Sequence, residues 1–442
     1  MKKSRTSLFF TCWAIANLFI LVVLRFSIKY HWFISSDFSH GNKNFSNVSR
    51  DQYPYHHVIE QLEWISAFAQ NEVEWVACLG VLFCSFQSDL SIVQPPKIYY
   101  DRRLLYHVTE SYGCRYKCNF TDHLQDFRVG DIAVFSASFR NEDAERLKRN
   151  GALIAFESVE SPVHMRQLTE IQGGQVVDMF ITYMPWSQVP YMYPMFLRKT
   201  NRGMRFTNSE VSAILAKNST HLLPSHHRNG KKLIAWLASN GSPRNKRERF
   251  VHLISRIIPV VDVYGGRGKR TPPGRDALQW ISENYKFYLA FENSNCKYYI
   301  TEKVAGNAYR YGRNGMVPIV LGAYKEEYES VLPPHSFINM DDFNSISKLA
   351  GYLQYLDRND TAYAEYFAWK EYGEIYVSLI SSCSIIEKRL DCRLCGFMHR
   401  LNAGLVKLTK ILGAYASSDS CRLLYDVDLS IHRNPNSPFN AA

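Results

Sequence analysis

The sequence predicts an α/β protein of two Rossmann-like domains facing a cleft, preceded by one N-terminal transmembrane helix. Three observations predict it. Short apolar runs rich in β-branched and aromatic residues alternate with charged, helix-compatible stretches, the pattern of βα units around a parallel sheet. That series occurs twice, on either side of a polar stretch at 201–231 that holds Pro224, His226, His227 and Gly230. An uncharged run from Ser7 to Leu24 lies between Lys2, Lys3 and Arg5 on one side and Arg25 on the other.

Taken in order, residues 1–6 read as a cytosolic tail and 7–24 as a signal-anchor. Eighteen residues is the lower edge of what spans a bilayer as a helix. The competing reading is a cleaved signal peptide, but Arg25, Phe26, Ser27 and Ile28 offer no small-x-small cleavage site. Tyr30 and Trp32 sit at the interfacial belt, and the basic cluster keeps the amino terminus inside. The rest of the chain is then expected in the lumen. Residues 25–55 form a polar stem. Residues 56–220 form the first α/β domain, with strands in Asp131–Phe135, Gly151–Phe156 and Met179–Tyr183 and a helix over Asn141–Arg149. Residues 221–372 form the second, with strands in Lys232–Ala238, Val260–Tyr264 (stopped by Gly265-Gly266), Phe287–Phe291 and Val317–Leu321, and a helix over Arg247–Ile258. Residues 373–442 are expected as a cysteine-containing tail packed on the head.

Composition narrows the class without choosing a function. The 442 residues are 46% hydrophobic and 21% charged, normal for a globular protein, and the formal net charge is +11. A basic surface suits nucleic acid, anionic lipid or a phosphorylated substrate. No zinc-finger spacing or helical basic stripe supports nucleic acid. Sequons at Asn44, Asn47, Asn119, Asn218 and Asn359, with a sixth at Asn240 weakened by Pro243, agree with a lumenal head. Of ten cysteines, Cys114, Cys118, Cys383, Cys392, Cys395 and Cys421 are the disulfide candidates, with connectivity open. Cys392-x-x-Cys395 could instead be half a zinc site, but no second such pair exists. Nothing in the sequence fixes an oligomeric state.

The densest chemistry lies in Tyr288-Leu-Ala-Phe-Glu-Asn-Ser-Asn-Cys-Lys-Tyr-Tyr-Ile-Thr-Glu-Lys303. An apolar strand runs into Glu292, Asn293 and Ser294, so polar groups gather at a strand's carboxyl end, where ligands of open α/β sheets bind. Thr301-Glu302-Lys303 reads as a helix start, with Thr as cap; such an N-terminus attracts phosphate and Lys303 adds a full positive charge. Asn293 and Glu302 can hydrogen-bond sugar hydroxyls or a ribose. An ordinary capped surface helix fits the same pattern.

This segment, with Tyr309 and Gly315-Met-Val-Pro-Ile-Val-Leu-Gly322, resembles the signature of the α1,3/4-fucosyltransferases, glycosyltransferase family ten. The likeness takes in Leu332-Pro-Pro334, Phe337–Phe343, Tyr366–Lys370, Ala235-Trp236, Ser239-Asn240 and Asp262–Gly265. It runs through 232–372 and more weakly back to about 110.

The resemblance implies a metal-independent fold of the GT-B type, the donor GDP-fucose in the C-terminal domain, a glycan acceptor, and a Golgi enzyme of type II topology held by its N-terminal helix. It implies that Arg247 and Lys303 bind the pyrophosphate. Two fixed cations would stabilise departing GDP. Tyr264 and Gly265 match positions near the nucleotide pocket, while Glu292, Asn293, Tyr299 and Glu302 match those lining fucose, ribose and phosphate. No obligatory cofactor is expected and no metal site is visible; Mn2+ or Mg2+ would at most stimulate turnover by shielding the nucleotide.

Glu160-Ser-Pro162 resembles the family's acceptor-side Glu-Ser-Pro motif. Inverting displacement at the fucose anomeric carbon needs one carboxylate to take the acceptor hydroxyl's proton, and Glu160 is the choice, with Glu157 its competitor. One stretch departs from the family. Where Tyr-Arg-x-Asp-Ser-Asp is usual, this chain has Tyr183-Met-Pro-Trp-Ser-Gln188. Three functions fit: transfer of fucose in α1,3 linkage to a GlcNAc-containing glycan, a catalytically silent homologue that binds GDP-fucose or glycan, and a lumenal transferase using another GDP-sugar, which the signature disfavours.

Overall fold

The computed structural model describes residues 54–66, 94–100, 114–136, 139–164, 176–228, 232–240, 243–258, 261–266, 268–309, 315–378, 390–408 and 421. The Ser7–Leu24 run, Asn44, Asn47 and Cys383 lie outside them, and among the described residues no helix is long and apolar enough to cross a membrane. From Asp51 onward the chain forms a single compact unit.

Two parallel five-stranded sheets organise it. The first has the order β2-β1-β3-β4-β5, built from β1 (Lys97–Tyr100), β2 (Asn119–Thr121), β3 (Ile132–Phe135), β4 (Leu153–Ser158) and β5 (Met179–Thr182). Its register pairs Ile98 with Ile132, Ile132 with Leu153 and Ala155 with Met179. The second has the order β11-β10-β9-β7-β8, built from β7 (Lys232–Ala238), β8 (Val261–Gly265), β9 (Tyr285–Phe291), β10 (Val317–Leu321) and β11 (Ile338–Asn339). In β3, β9 and β10 every residue is buried, as expected of central parallel strands covered on both faces.

Helices cover those faces because their apolar residues recur at helical spacing. Helix α1 (His56–Ser66) comes first and α2 (Asn141–Arg149) crosses from β3 to β4, turning Ala144 and Leu147 inward. Between the sheets run β6 (Met195–Arg198) and α3 (Asn208–Leu215). Helix α4 (Arg247–Ile257) buries Phe250, Val251 and Ile254. After α5 (Ala277–Asn284) and α6 (Lys325–Val331), α7 (Ile346–Arg358) buries Ile346, Leu349, Ala350, Leu353 and Leu356 against the same core. The Ser345 side chain caps it by accepting from the Lys348 N–H. The short α8 (Asp360–Glu365) comes next.

One expectation is corrected. The polar stretch at 201–231, whose composition reads as a linker between domains, is folded. Over its described residues it folds as α3, with a Thr207–Glu210 capping box, and docks through His227, which stacks on Tyr363 and bonds Asp360 at 2.8 Å. Strand β8 ends at the expected glycines: Gly265 is its last paired residue, at φ +103°, where a Cβ would lie 2.2 Å from the Ala238 oxygen.

The carboxyl-terminal stretch returns to the first sheet. Strand β12 (Gly373–Tyr376) pairs antiparallel with β6. Helix α9 (Leu390–Asn402) then lays Leu390, Leu394, Phe397 and Met398 over Ile98, Ile132, Ala155 and Ile181. Disulfides Cys114–Cys392 and Cys118–Cys395 staple that helix down, and Cys296–Cys421 adds a third. Both sulfurs of Cys392-x-x-Cys395 are thereby spent, which removes the half-zinc reading. Cys296 is a bridging cysteine that the sequence did not single out.

Candidate active site

The carboxyl ends of β4 and β9 meet, bringing two distant motifs together. Glu160 comes after β4 in a turn closed by the Ser158 hydroxyl, which accepts from the Glu160 N–H at 3.2 Å. Ser161 is fully buried, and its hydroxyl oxygen receives the Ser294 hydroxyl at 2.7 Å. The buried Tyr299 hydroxyl donates to Glu160 Oε2 at 2.9 Å. Glu160 itself is exposed, so a second substrate can reach it. Tyr193, whose hydroxyl donates to the Val159 oxygen at 3.0 Å, stands near Glu160, Glu292 and Glu302.

On the β9 side the charges are paired. Glu292 is fully buried and accepts the Thr301 N–H at 2.8 Å and the Thr301 hydroxyl. Lys303 Nζ lies 3.0 Å from Glu292 Oε2, 3.0 Å from Glu302 Oε1 and 2.8 Å from Thr301 Oγ1. Burial pushes the Glu292 carboxyl up, and Lys303 pulls it back. Burial would also depress the Lys303 ammonium, but the Glu292 and Glu302 carboxylates outweigh it and hold the group above its ordinary value. Lys303 is therefore a fixed cation. Arg247, at the start of α4, is 3% exposed; its Nη1 donates to the Phe291 oxygen at 2.6 Å and its guanidinium lies 5.5 Å from the Trp236 ring centroid. The two cations thus anchor on consecutive residues, Phe291 and Glu292, at one strand end. Asn245 completes the arrangement, its amide donating to the Glu292 oxygen at 2.7 Å and to Asn295 Oδ1 at 3.0 Å. Asn293 is half-buried and accepts from the Ser294 hydroxyl, while the Glu302 side chain is 54% exposed.

Several sequence expectations change here. Glu157 is not a base at this cleft. Two residues on from Ala155, it points to the sheet face that α9 covers, sits fully buried beside Tyr100, and burial pushes its carboxyl up to about 7 while the Tyr100 hydroxyl opposes the rise. The Tyr264 ring does not line the site either: it is buried against Trp280 and Tyr285, its hydroxyl 2.7 Å from that of Tyr285, leaving only the Gly265 turn at the strand end. Thr301 caps no α-helix. The chain beyond it makes a six-residue π-helical turn, Lys303–Ala308, and the Thr301 hydroxyl goes to Glu292 instead. Side-chain cations, not a helix dipole, supply the positive field. Such π turns concentrate at functional sites.

The departing segment 183–188 is neutral and closed on itself. Met184 is fully buried; the Thr182 N–H donates to Ser187 Oγ at 3.2 Å and the Phe180 N–H to Gln188 Oε1 at 3.2 Å. Helix α1 seals it, with His57 Nε2 3.0 Å from the Ser187 oxygen and Gln61 donating to the Gln188 oxygen at 2.5 Å. Sequence reasoning missed Tyr193 and Asn245 and gave no role to Ser161 or Ser294. Only Ser161 and Ser294 carried a signal, as neighbours of the two motifs; Asn245 stands among Arg244, Lys246 and Arg249, a run that reads as a solvated basic face.

Residues 227–411 match the family model described as Glycosyltransferase family 10 (fucosyltransferase) C-term. Over this segment the chain is similar to glycosyltransferase family 10. Among curated proteins the chain is similar to Glycoprotein 3-alpha-L-fucosyltransferase A of Drosophila melanogaster, at 40% identity over 174 residues, 39% of this chain and 32% of that one. It is likewise similar to Alpha-(1,3)-fucosyltransferase 4 of Bos taurus, at 43% over 146 residues (33% and 36% of the two chains). The human 4-galactosyl-N-acetylglucosaminide 3-alpha-L-fucosyltransferase FUT6 matches at 35% over 235 residues, 51% of this chain and 55% of that one. The matched stretches thus span a third to about half the length of these relatives. A crystal structure of an alpha1,3-Fucosyltransferase with GDP-fucose is 16% identical over 80% of this chain and 98% of that one, with a TM-score of 0.43.

Proposed function

We propose that the chain is an inverting α1,3-fucosyltransferase that moves L-fucose from GDP-fucose to a GlcNAc-containing glycan, working as a Golgi type II membrane protein. One observation carries the reading: Tyr299, from the family 10 segment, hydrogen-bonds Glu160 on the opposite lobe, so the carboxylate and the cation pair share one crevice. In this reading Glu160 takes the acceptor hydroxyl's proton as its oxygen attacks the anomeric carbon from the face opposite the diphosphate. Charge spreads onto the sugar ring as the bond to GDP lengthens. Arg247 and Lys303 hold the diphosphate as it gains charge, which stabilises the departing group without a metal. Glu292 keeps Lys303 aimed, and Asn293 and Glu302 offer polar groups to sugar hydroxyls.

One relative's name specifies a galactosyl-N-acetylglucosaminide, which supports GlcNAc as the acceptor sugar. The full chain in detergent, given GDP-fucose and a panel of GlcNAc-terminated and N-acetyllactosamine glycans, should release GDP only when an acceptor is present. Mass spectrometry should then find one deoxyhexose added to the product. The neutral 183–188 segment motivates the rival: binding of GDP-fucose with no transfer to any glycan would identify a silent homologue and sink the catalytic reading.

A further inference from the structure

We propose that Glu327, acting through Tyr298, is a positioning residue that sets the hydrogen bond between Tyr299 and Glu160; this rests on Glu160 being the base. Tyr298 has φ +55°, the left-handed region that costs a non-glycine residue about 1–2 kcal/mol, so the surrounding contacts must impose it. Three do. Its N–H donates to Glu327 Oε2 at 2.8 Å, and the same oxygen accepts the Tyr324 N–H at 3.0 Å. Its ring stands edge-on to Trp186, with centroids 6.1 Å apart, and to Tyr55, at 6.2 Å. The Tyr55 hydroxyl in turn donates to the Tyr183 oxygen at 2.6 Å.

Glu327 is 7% exposed, and its Oε2 is committed to those two backbone N–H groups. It thereby ties the start of α6 to the loop between β9 and the π turn, at the residue before Tyr299. The left-handed turn at Tyr298 reverses the chain, so that the Tyr298 ring points to Trp186 while the Tyr299 hydroxyl reaches Glu160. Tyr299 also packs on Tyr183, with centroids 5.0 Å apart. The aromatic wedge of Tyr55, Trp186 and Tyr298 occupies the region where the family pattern has charges, and the Glu327 carboxylate braces it from the other lobe. A shift of the tyrosine by about an ångström removes the alignment of the base, a displacement that costs about 100-fold in rate where positioning matters.

The test is a kinetic cycle on the full chain with GDP-fucose and an N-acetyllactosamine acceptor. Glu327→Ala should lower kcat about 10- to 100-fold while the KM for GDP-fucose stays within about twofold. Glu327→Gln retains an oxygen that accepts both N–H groups and should stay within about threefold of the parent. Tyr299→Phe and Glu327→Ala combined should be no worse than the poorer single variant, because one acts through the other. Additive losses, or a Glu327→Gln variant as slow as Glu327→Ala, would overturn the inference. Should Glu327→Ala fail to accumulate, Tyr298→Gly loosens the same turn and must show the same non-additivity with Tyr299→Phe. A Glu160→Gln enzyme that turns over normally defeats the functional reading itself, whereas its inactivity alongside an unaffected Glu327→Ala defeats only this inference.

Discussion

The loop after β9 and the loop after β5 end at the same crevice yet are built from opposite materials. After β9, Lys303 pairs with the buried Glu292, which also accepts from Thr301, and Arg247 is held beside them by the Phe291 carbonyl. After β5, Met184, Trp186, Ser187 and Gln188 are neutral, and their polar atoms turn back on their own strand and on α1. The difference teaches where charge is needed. A departing diphosphate requires cations that stay charged and in place, and a buried carboxylate partner fixes both. The wall after β5 needs chiefly shape, which aromatic rings supply without the cost of burying ions.

That contrast can be broken, and the largest expected effects come from the charged side. Glu160→Gln should retain donor binding and lower kcat about 10²- to 10⁴-fold, the usual worth of a general base, read by GDP release. Lys303→Ala should lower kcat/KM on the order of 10²- to 10³-fold, through lost stabilisation of the leaving group and an orphaned Glu292. If it only weakens donor KM, the network serves binding and not catalysis.

The neutral side is tested by putting the family's charge back. Met184→Arg places a cation in a fully buried site, and a drop of about 3–5 kcal/mol in unfolding free energy is expected. A variant as stable as the parent and faster than it would show that the segment has merely lost a charge, and that the wedge compensates for nothing. Glu157→Gln sharpens the separation of the two glutamates. Burial holds the Glu157 carboxyl near 7 in the folded chain, against an ordinary 4.5. Its protonated form therefore stabilises the fold below about pH 4.5, and that contribution fades as pH rises through about 7. The parent should lose stability relative to Glu157→Gln between about pH 5 and 8, by up to about 3 kcal/mol, with little change in kcat at the pH where both are folded. Gly322→Ala is the mildest change. At φ +144° its Cβ would lie 2.8 Å from Glu292 Cβ, and a rate loss of about tenfold is expected from nudging the carboxylate that aims Lys303.

Legibility divides along the same line. The alternation of apolar runs with charged stretches was enough to place β3, β4, β5, β7, β9 and β10, because fully buried parallel strands need long apolar runs. Strands β1, β2, β11 and β12 left too little apolar pattern to read. Glu292 and Asn293 were readable because they lie just beyond a strand's carboxyl end, and Lys303 because Thr301-Glu302-Lys303 reads as a helix start, although the turn there is π-helical. The resemblance added Arg247 and Glu160.

Other features had no local signature. Which glutamate is free depends on Glu157 lying within β4, on the face that α9 covers from far along the chain, while Glu160 lies in the turn beyond the strand. The cysteines could be counted but not paired, since Cα atoms brought together from Cys114 and Cys392 are near only in the folded chain. Tyr264 matched a pocket position yet packs inward, its hydroxyl bonded to that of Tyr285, which in turn donates to Asp262. Residue chemistry along the chain determined what reactions the protein has the groups for. Sidedness, pairing and the meeting of the two motifs came from long-range packing alone, because no residue's neighbours in sequence specify which distant surface will cover it.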